Sequence, residues 1–288
     1  MAAFAHQVIS GAAIGLIYAC LALALVMIYQ ASGQINFAQG EMAMFSCYVA
    51  WFLVEAGWPY WIAFASALVF SFAFGFLLHR AILRPLDKAP IISSIIVFVG
   101  LLFIINSSAG WLFGYEMQTF ASPFPHGWQL TYVSSHEVGL AVITTAILLL
   151  VYSFFRFSKL GLAMRAAAQN PNSGRLLGIP VDNLVSIGWG LAATIGALAG
   201  MMAAPIVFID PNMMSGLLLY GFAAALLGGI DNPAGAIPGG VIVGILENLV
   251  GAYVVGTELK FIVALVLIVV VLLVRPKGLF GQARVERV

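Results

Sequence analysis

The chain has 288 residues, 62% of them hydrophobic and only 8% charged, with twelve Lys and Arg against eleven Asp and Glu and a formal net charge of +1. A soluble domain carries about 25% charged residues, so this is the composition of an integral membrane protein, without the basic surface that nucleic acid needs and without an acidic tail. A spanning helix takes about 20 apolar residues, and about nine of them leave too little chain for a soluble ATPase domain.

Apolar runs punctuated by Gly, Pro or charge predict an all-α polytopic bundle of about nine membrane segments, eight to ten being compatible with the run lengths. The first, Val8 to Tyr29, has no cation ahead of it and exceeds a signal-peptide core, so a retained helix is expected. Before the second, Phe37 to Val54, the polar stretch Gln34-Ile35-Asn36-Phe37-Ala38-Gln39-Gly40-Glu41 interrupts the apolar pattern. It reads either as a helix broken near Gly40 or as a turn between spans. Trp61 to Leu83 and Ile91 to Phe113 flank a basic loop with Arg80, Arg84 and Lys88. The loop Gly114 to Glu137 has no Lys or Arg, and Trp111, Tyr115 and Trp128 suit a headgroup belt there. Val138 to Phe155 leads into the loop 156–183, which holds Arg156, Lys159, Arg165 and Arg175. Then come Leu184 to Ala204, a cation-free loop Pro205 to Gly216, a short segment Leu217 to Ile230, and Ala236 to Val255. Between those last two lies Gly228-Gly229-Ile230-Asp231-Asn232-Pro233-Ala234-Gly235, again a break or a turn. Phe261 to Val274 precedes a tail with Arg275, Lys277, Arg284 and Arg287. Every cation except Lys260, expected in a short outer loop beside Glu258, falls in these three clusters. By the positive-inside rule the clusters face the cytoplasm, with the N-terminus outside and the C-terminus inside.

Catalytic motifs are missing. No Lys follows a Gly as a P-loop demands, so ATP hydrolysis is not expected from this chain, and no cofactor or metal set is apparent. His6, His79, His126 and His136 lie at or beyond span ends, Cys20 and Cys47 read as small hydrophobes, and Ser107 and Ser108 lack a base or a G-x-S-x-G frame. Two carboxylates fall inside apolar segments, Glu41 and Glu247, where each costs about 3 kcal/mol on insertion scales and calls for a cavity or a partner. No cation is expected in the core of a span beside them, while Asn36, Asn106 and Asn248 offer hydrogen bonds. Asn36, Gln39, Gly40, Glu41, Glu247 and Asn248 are therefore candidates for lining a translocation path. The competing reading sets Glu41 at the membrane interface, favouring a helix N-terminus.

Gly11 with Gly15, Gly196 with Gly200, and Gly240 with Gly244 each share a helix face and allow close helix contact. In the loop after the fifth segment, Met164 to Gln169 are helix formers, Asn170 reads as an N-cap, Pro171 as the first helical position and Gly178 as the stop. Leu176 and Leu177, flanked by Arg165 and Arg175, would stand exposed. They suit a protein partner, or else a helix lying on lipid headgroups.

The segment Ile35 to Glu41, the loop Met164 to Ile179, the run Leu227 to Ala236 and the tail Arg275-Pro276-Lys277-Gly278-Leu279-Phe280-Gly281 together resemble the permeases of branched-chain amino-acid ABC importers of the LivH type. The resemblance covers nearly the whole chain. It implies a single permease domain over residues 1–288, with the 156–183 loop as the segment that docks on an ATP-binding subunit. Arg165, Asn170, Pro171, Arg175, Leu176, Leu177 and Gly178 would carry that docking. It further implies a second permease of similar fold, a periplasmic or extracellular substrate-binding protein, a place in the bacterial inner membrane among its lipids, and a cargo of leucine, isoleucine, valine or a related amino acid, amide or urea. ATP would be bound by the partner subunit and no cofactor by this one. The runner-up is a stand-alone secondary transporter using Glu41 or Glu247 as a proton acceptor. An intramembrane enzyme lacks an assembled nucleophile and base.

Overall fold

The computed structural model describes residues 2–86, 89–124, 134–256 and 259–281. Lys88, His126, Trp128, Glu258, Arg284 and Arg287, used above for charge placement and interface anchoring, lie outside them. The described residues form helices α1 (Ala2–Ser32), α2 (Gln39–Glu55), α3 (Tyr60–Leu78), α4 (Ile91–Phe113), α5 (Ser135–Phe157), α6 (Lys159–Gln169), α7 (Pro171–Leu176), α8 (Val181–Val207), α9 (Met213–Gly228), α10 (Pro233–Val250) and α11 (Lys260–Val274). A π-helical turn, His79–Leu83, extends α3, and another, Gly251–Val255, extends α10. The sole β contact among the described residues is a bridge between Gln118 and Ile209. Every predicted apolar segment has its helix, and six are long and apolar enough to cross a membrane. Three are shorter: α2 with 17 residues, α9 with 16 and α11 with 15. The chain is thus a helical integral membrane protein.

Local chemistry sets the helix ends. Proline precedes α3, α4 and α8 at Pro59, Pro90 and Pro180, where its missing N–H costs nothing. Ser134 and Glu137 form a capping box at the start of α5: the Ser134 N–H donates to Glu137 Oε2 (2.8 Å) and the Glu137 N–H to Ser134 Oγ (3.2 Å). Ser158 caps α6, Asn170 caps α7 with Pro171 next, and Asn232 caps α10. Neither of the two suspected breaks interrupts a helix. Both are connections between consecutive helices. The first reverses at Gly33, which has φ +70°, and Gly40 is an ordinary helical residue in the first turn of α2. The second reverses at Gly229, with φ +101°.

The chain divides into two compact units. One comprises residues 1–26, 124–146 and 216–288; the other comprises 27–123 and 147–215. In the first, the glycine pairs of α1 and α10 face one another: a Cβ on Gly15 would stand 2.8 Å from Gly240 O, and one on Gly11 would stand 2.9 Å from Gly244 O. Backbone therefore meets backbone along this seam. The tail is tied to the α9–α10 turn of the same unit, with the Leu279 N–H donating to Leu227 O at 2.7 Å and Asn232 Nδ2 to Phe280 O at 2.9 Å. Gly278, at φ +75°, lets the tail approach. In the second unit, α8 is the central helix, its Gly- and Ala-rich faces buried against α2 and α3. Gly196 and Gly200 leave room there for Gln39 and Cys47 of α2.

Candidate functional site

The polar connection before α2 is anchored from within. Asn36 is fully buried, its Oδ1 accepts the Ala38 N–H at 3.0 Å, and its Nδ2 donates to Gln39 Oε1 at 3.2 Å. Gln39 in turn donates through Nε2 to Ala192 O at 3.0 Å. Ala192 lies near the middle of α8, so α2 begins beside the waist of this unit, away from the ends of its neighbours. Gly40 sits between Gln39 and Glu41 in the same buried turn.

Glu41 is 5% exposed. Its Oε2 accepts from Asn106 Nδ2 of α4 at 3.2 Å, and the same amide nitrogen lies 2.7 Å from Pro211 O and 3.4 Å from Asn212 Oδ1. Among the described residues no Lys or Arg forms an ion pair with Glu41. Above it on α2, Phe45, Tyr48 and Phe52 continue the same face at helical spacing and converge on Phe113 of α4. Tyr48 is stacked on that ring with centroids 4.8 Å apart. The Tyr48 hydroxyl is buried without a hydrogen-bond partner among the described residues.

Glu247 is built differently, and one expectation fails here. Lys260, at the start of α11, turns inward and brings Nζ to 3.6 Å from Glu247 Oε1, while the Tyr18 hydroxyl donates to Oε2 at 2.7 Å. Glu247 thus has a cation beside it after all. The Lys side chain is long enough to reach back past Gly251, where a Cβ would come within 2.7 Å of its Cε. Asn248 takes Lys260 Nζ on Oδ1 at 3.3 Å and gives Nδ2 to Gln7 O at 2.8 Å. Tyr220 stacks on Tyr18 at 4.9 Å. The result is a neutralised polar staple among α1, α9, α10 and α11.

The 156–183 stretch contains two helices where one was outlined, and Asn170 separates them. Asn170 Oδ1 accepts the Ser173 N–H at 2.9 Å, Pro171 follows, and Gly178 ends the turn at φ +77°. Leu176 and Leu177 are 89% and 80% exposed, and Arg165 of α6 stands on the exposed side as well. Met164, Ala167, Val181 and Leu184 pack beneath. Asp182, passed over in the sequence, joins this stretch to its neighbours: it pairs with Arg175 at 3.0 Å and with Arg84, just after α3, at 2.9 Å. Behind it His79 Nδ1 lies 2.8 Å from Ser186 Oγ; this histidine is buried in a helical stretch, beyond what its place near a span end suggested. Ser108 is a helix hydroxyl that donates to Ile104 O at 2.6 Å.

Its apolar helices make this chain an integral membrane protein, and its relatives give its class. Residues 7–272 match the family of permease components of branched-chain amino acid transport systems, and the chain belongs to that family. It is similar to the high-affinity branched-chain amino acid transport system permease protein LivH of Escherichia coli, 31% identical over 99% of this chain and 98% of that protein. The permease protein BraD of Pseudomonas aeruginosa is 30% identical with the same coverage. Among solved structures, PsaBC from Streptococcus pneumoniae in complex with a Fab superposes with a TM-score of 0.52 at 15% identity, covering 93% of this chain and 91% of that one, which is a likeness of fold. As a permease component, the chain passes solute across a membrane.

Proposed function

We propose that this protein is the membrane-spanning subunit through which an ABC importer of the bacterial inner membrane carries branched-chain amino acids inward, powered by ATP hydrolysis on separate subunits. The observation that carries this reading, beside the family, is the capped α7 helix. Its Leu176 and Leu177 project from the surface, where a partner surface would cover them. Arg165, Asn170, Pro171, Arg175 and Gly178 shape and flank that tip. Motion there reaches α3 and α8 through the Arg175–Asp182–Arg84 pairs. In this reading all nine apolar helices are membrane segments of one permease domain, the N-terminus lies outside, and α6 and α7 lie in the cytoplasm. A second permease of similar fold and a substrate-binding protein complete the importer. The path runs past Asn36, Gln39, Gly40 and Glu41, while Glu247 and Asn248 hold helices together.

The test is import of leucine into proteoliposomes holding the complete complex, with loaded binding protein outside and ATP inside. Replacing Leu176 and Leu177 together by Asp is expected to abolish import and to release the ATP-binding subunit on size-exclusion chromatography. Normal import by that variant, or import by this chain reconstituted alone, refutes the assignment.

A further inference from the structure

The two intramembrane carboxylates differ in one respect. Glu247 has its own ammonium in Lys260, whereas among the described residues Glu41 has none. Around Glu41 the hydrogen-bond inventory is also out of balance. An Asn amide nitrogen carries two hydrogens, yet Asn106 Nδ2 lies within 3.5 Å of three acceptors: Glu41 Oε2, Pro211 O and Asn212 Oδ1. Three acceptors thus share two hydrogens, and of these Glu41 is shielded from water whereas Asn212 is exposed to it. A primary ammonium is the group that corrects both defects at once, since it brings one positive charge and three N–H donors. Further along the same face of α2, the Tyr48 hydroxyl is fully buried and has no hydrogen-bond partner among the described residues.

We infer that Glu41 Oε2, Pro211 O and Asn212 Oδ1 form a recognition point for the ammonium group of the passing amino acid, with the Asn106 amide holding that place when no substrate is there. This rests on the path assigned above and adds which end of the zwitterion the subunit reads. The arriving ammonium displaces the Asn106 amide from its acceptors. The aliphatic side chain then faces the aromatic face of Phe45, Tyr48 and Phe113. Such a point discriminates by charge and donor count and leaves the choice of side chain to other parts of the importer.

The experiment uses the complete complex in proteoliposomes with saturating loaded binding protein, measuring leucine imported per ATP hydrolysed. Glu41→Gln keeps the shape and still accepts from Asn106, but removes the charge. A loss of one charge-assisted hydrogen bond corresponds to about a tenfold fall in import per ATP, with ATPase stimulation by the binding protein retained. Asn106→Ala removes the competing donor and keeps every acceptor of the site, so its loss of import is expected to be smaller than that of Glu41→Gln. If Glu41→Gln imports normally, or if Asn106→Ala loses as much as Glu41→Gln does, the ammonium site is refuted, the second result meaning that the Glu41–Asn106 bond itself is what import needs. A cysteine at Phe37, with Cys20 and Cys47 replaced by Ala, separates this failure from failure of the path. Thiol labelling that blocks import and is slowed by leucine supports the path whatever Glu41→Gln does, and labelling without effect on import overturns path and ammonium site together.

Discussion

Removing Lys260 should expose the cost of a buried carboxylate. At 3.6 Å the Lys260–Glu247 attraction amounts to about 5 kcal/mol at an effective dielectric constant of about 20. Desolvating both ions offsets much of that, so the pair itself stabilises little, but deleting one partner strands the other and typically costs about 3–5 kcal/mol. The Tyr18 hydroxyl still donates to Glu247 in Lys260→Met, which favours the lower end, about 3 kcal/mol. For a chain of this size that is a fall of roughly 6–12 °C in melting temperature. Glu247→Gln keeps an acceptor for Tyr18 and has no charge to strand. Lys260→Met made in that background should therefore cost under about 1 kcal/mol. Thermal unfolding of the four proteins in one detergent, followed by tryptophan fluorescence, closes the cycle. Import by the double variant should match wild type under the proposed reading, in which Glu247 and Asn248 hold helices together. An equal loss from Lys260→Met in both backgrounds would show that the ion pair contributes nothing, and a dead double variant would return Glu247 to the path.

The facing glycines give a second prediction: Gly15→Ala sets a methyl 2.8 Å from Gly240 O and from Val241 Cα. It should cost about 1–3 kcal/mol by overpacking, whereas Gly100→Ala in α4, with open space around its Cβ, should be neutral or stabilising by up to about 1 kcal/mol. Melting temperatures compare the two directly. Asp182→Asn removes the shared partner of both arginines at a partly exposed site, so stability should change by about 1 kcal/mol or less, while ATP consumed per amino acid imported should rise. An unchanged ratio would take Asp182 out of the coupling route. A cysteine at Ser173 should react with a membrane-impermeant thiol reagent only from the cytoplasmic side and one at Ser122 only from outside. The reverse pattern would invert the assigned topology.

The helices were legible because apolar length is a one-dimensional property, and no distant residue is needed to read Ile91 to Phe113 as a span. The tip of α7 was legible for a related reason, since Asn170, Pro171 and Gly178 act on their own backbone within one turn. What stayed hidden depends on reach across the fold. Lys260 looked like a loop cation because its position relative to Glu247 is set by the reversal between α10 and α11, which hydropathy does not encode. Gly40 reads as the place of a break until the bond from the Ala38 N–H to Asn36 Oδ1, just ahead of α2, shows that the chain turns before it. Asn212 and Asp182 sit at helix ends, where a polar residue usually means solvent, and only their partners on other helices give them away. The glycine pairs were visible as pairs, but their register against each other, Gly15 on Gly240 and Gly11 on Gly244, is a property of the packed seam.

The tail that returns to the α9–α10 turn has a consequence for the order in which the chain matures. Leu279 and Phe280 hydrogen-bond to Leu227 and Asn232, so the hairpin of α9 and α10 is inserted before the residues that lock its turn have been synthesised. Until then that turn is held by local bonds, among them the Asn232 cap, the bond from the Asn232 N–H to Gly229 O and that from the Gly229 N–H to Ala225 O. The hairpin therefore reaches its final geometry only once residues 275–281 have been made, and a ribosome stalled after Val274 would leave the α9–α10 corner unfastened. Quality control that senses an open glycine turn at that corner would read, in effect, whether residues 275–281 had been added.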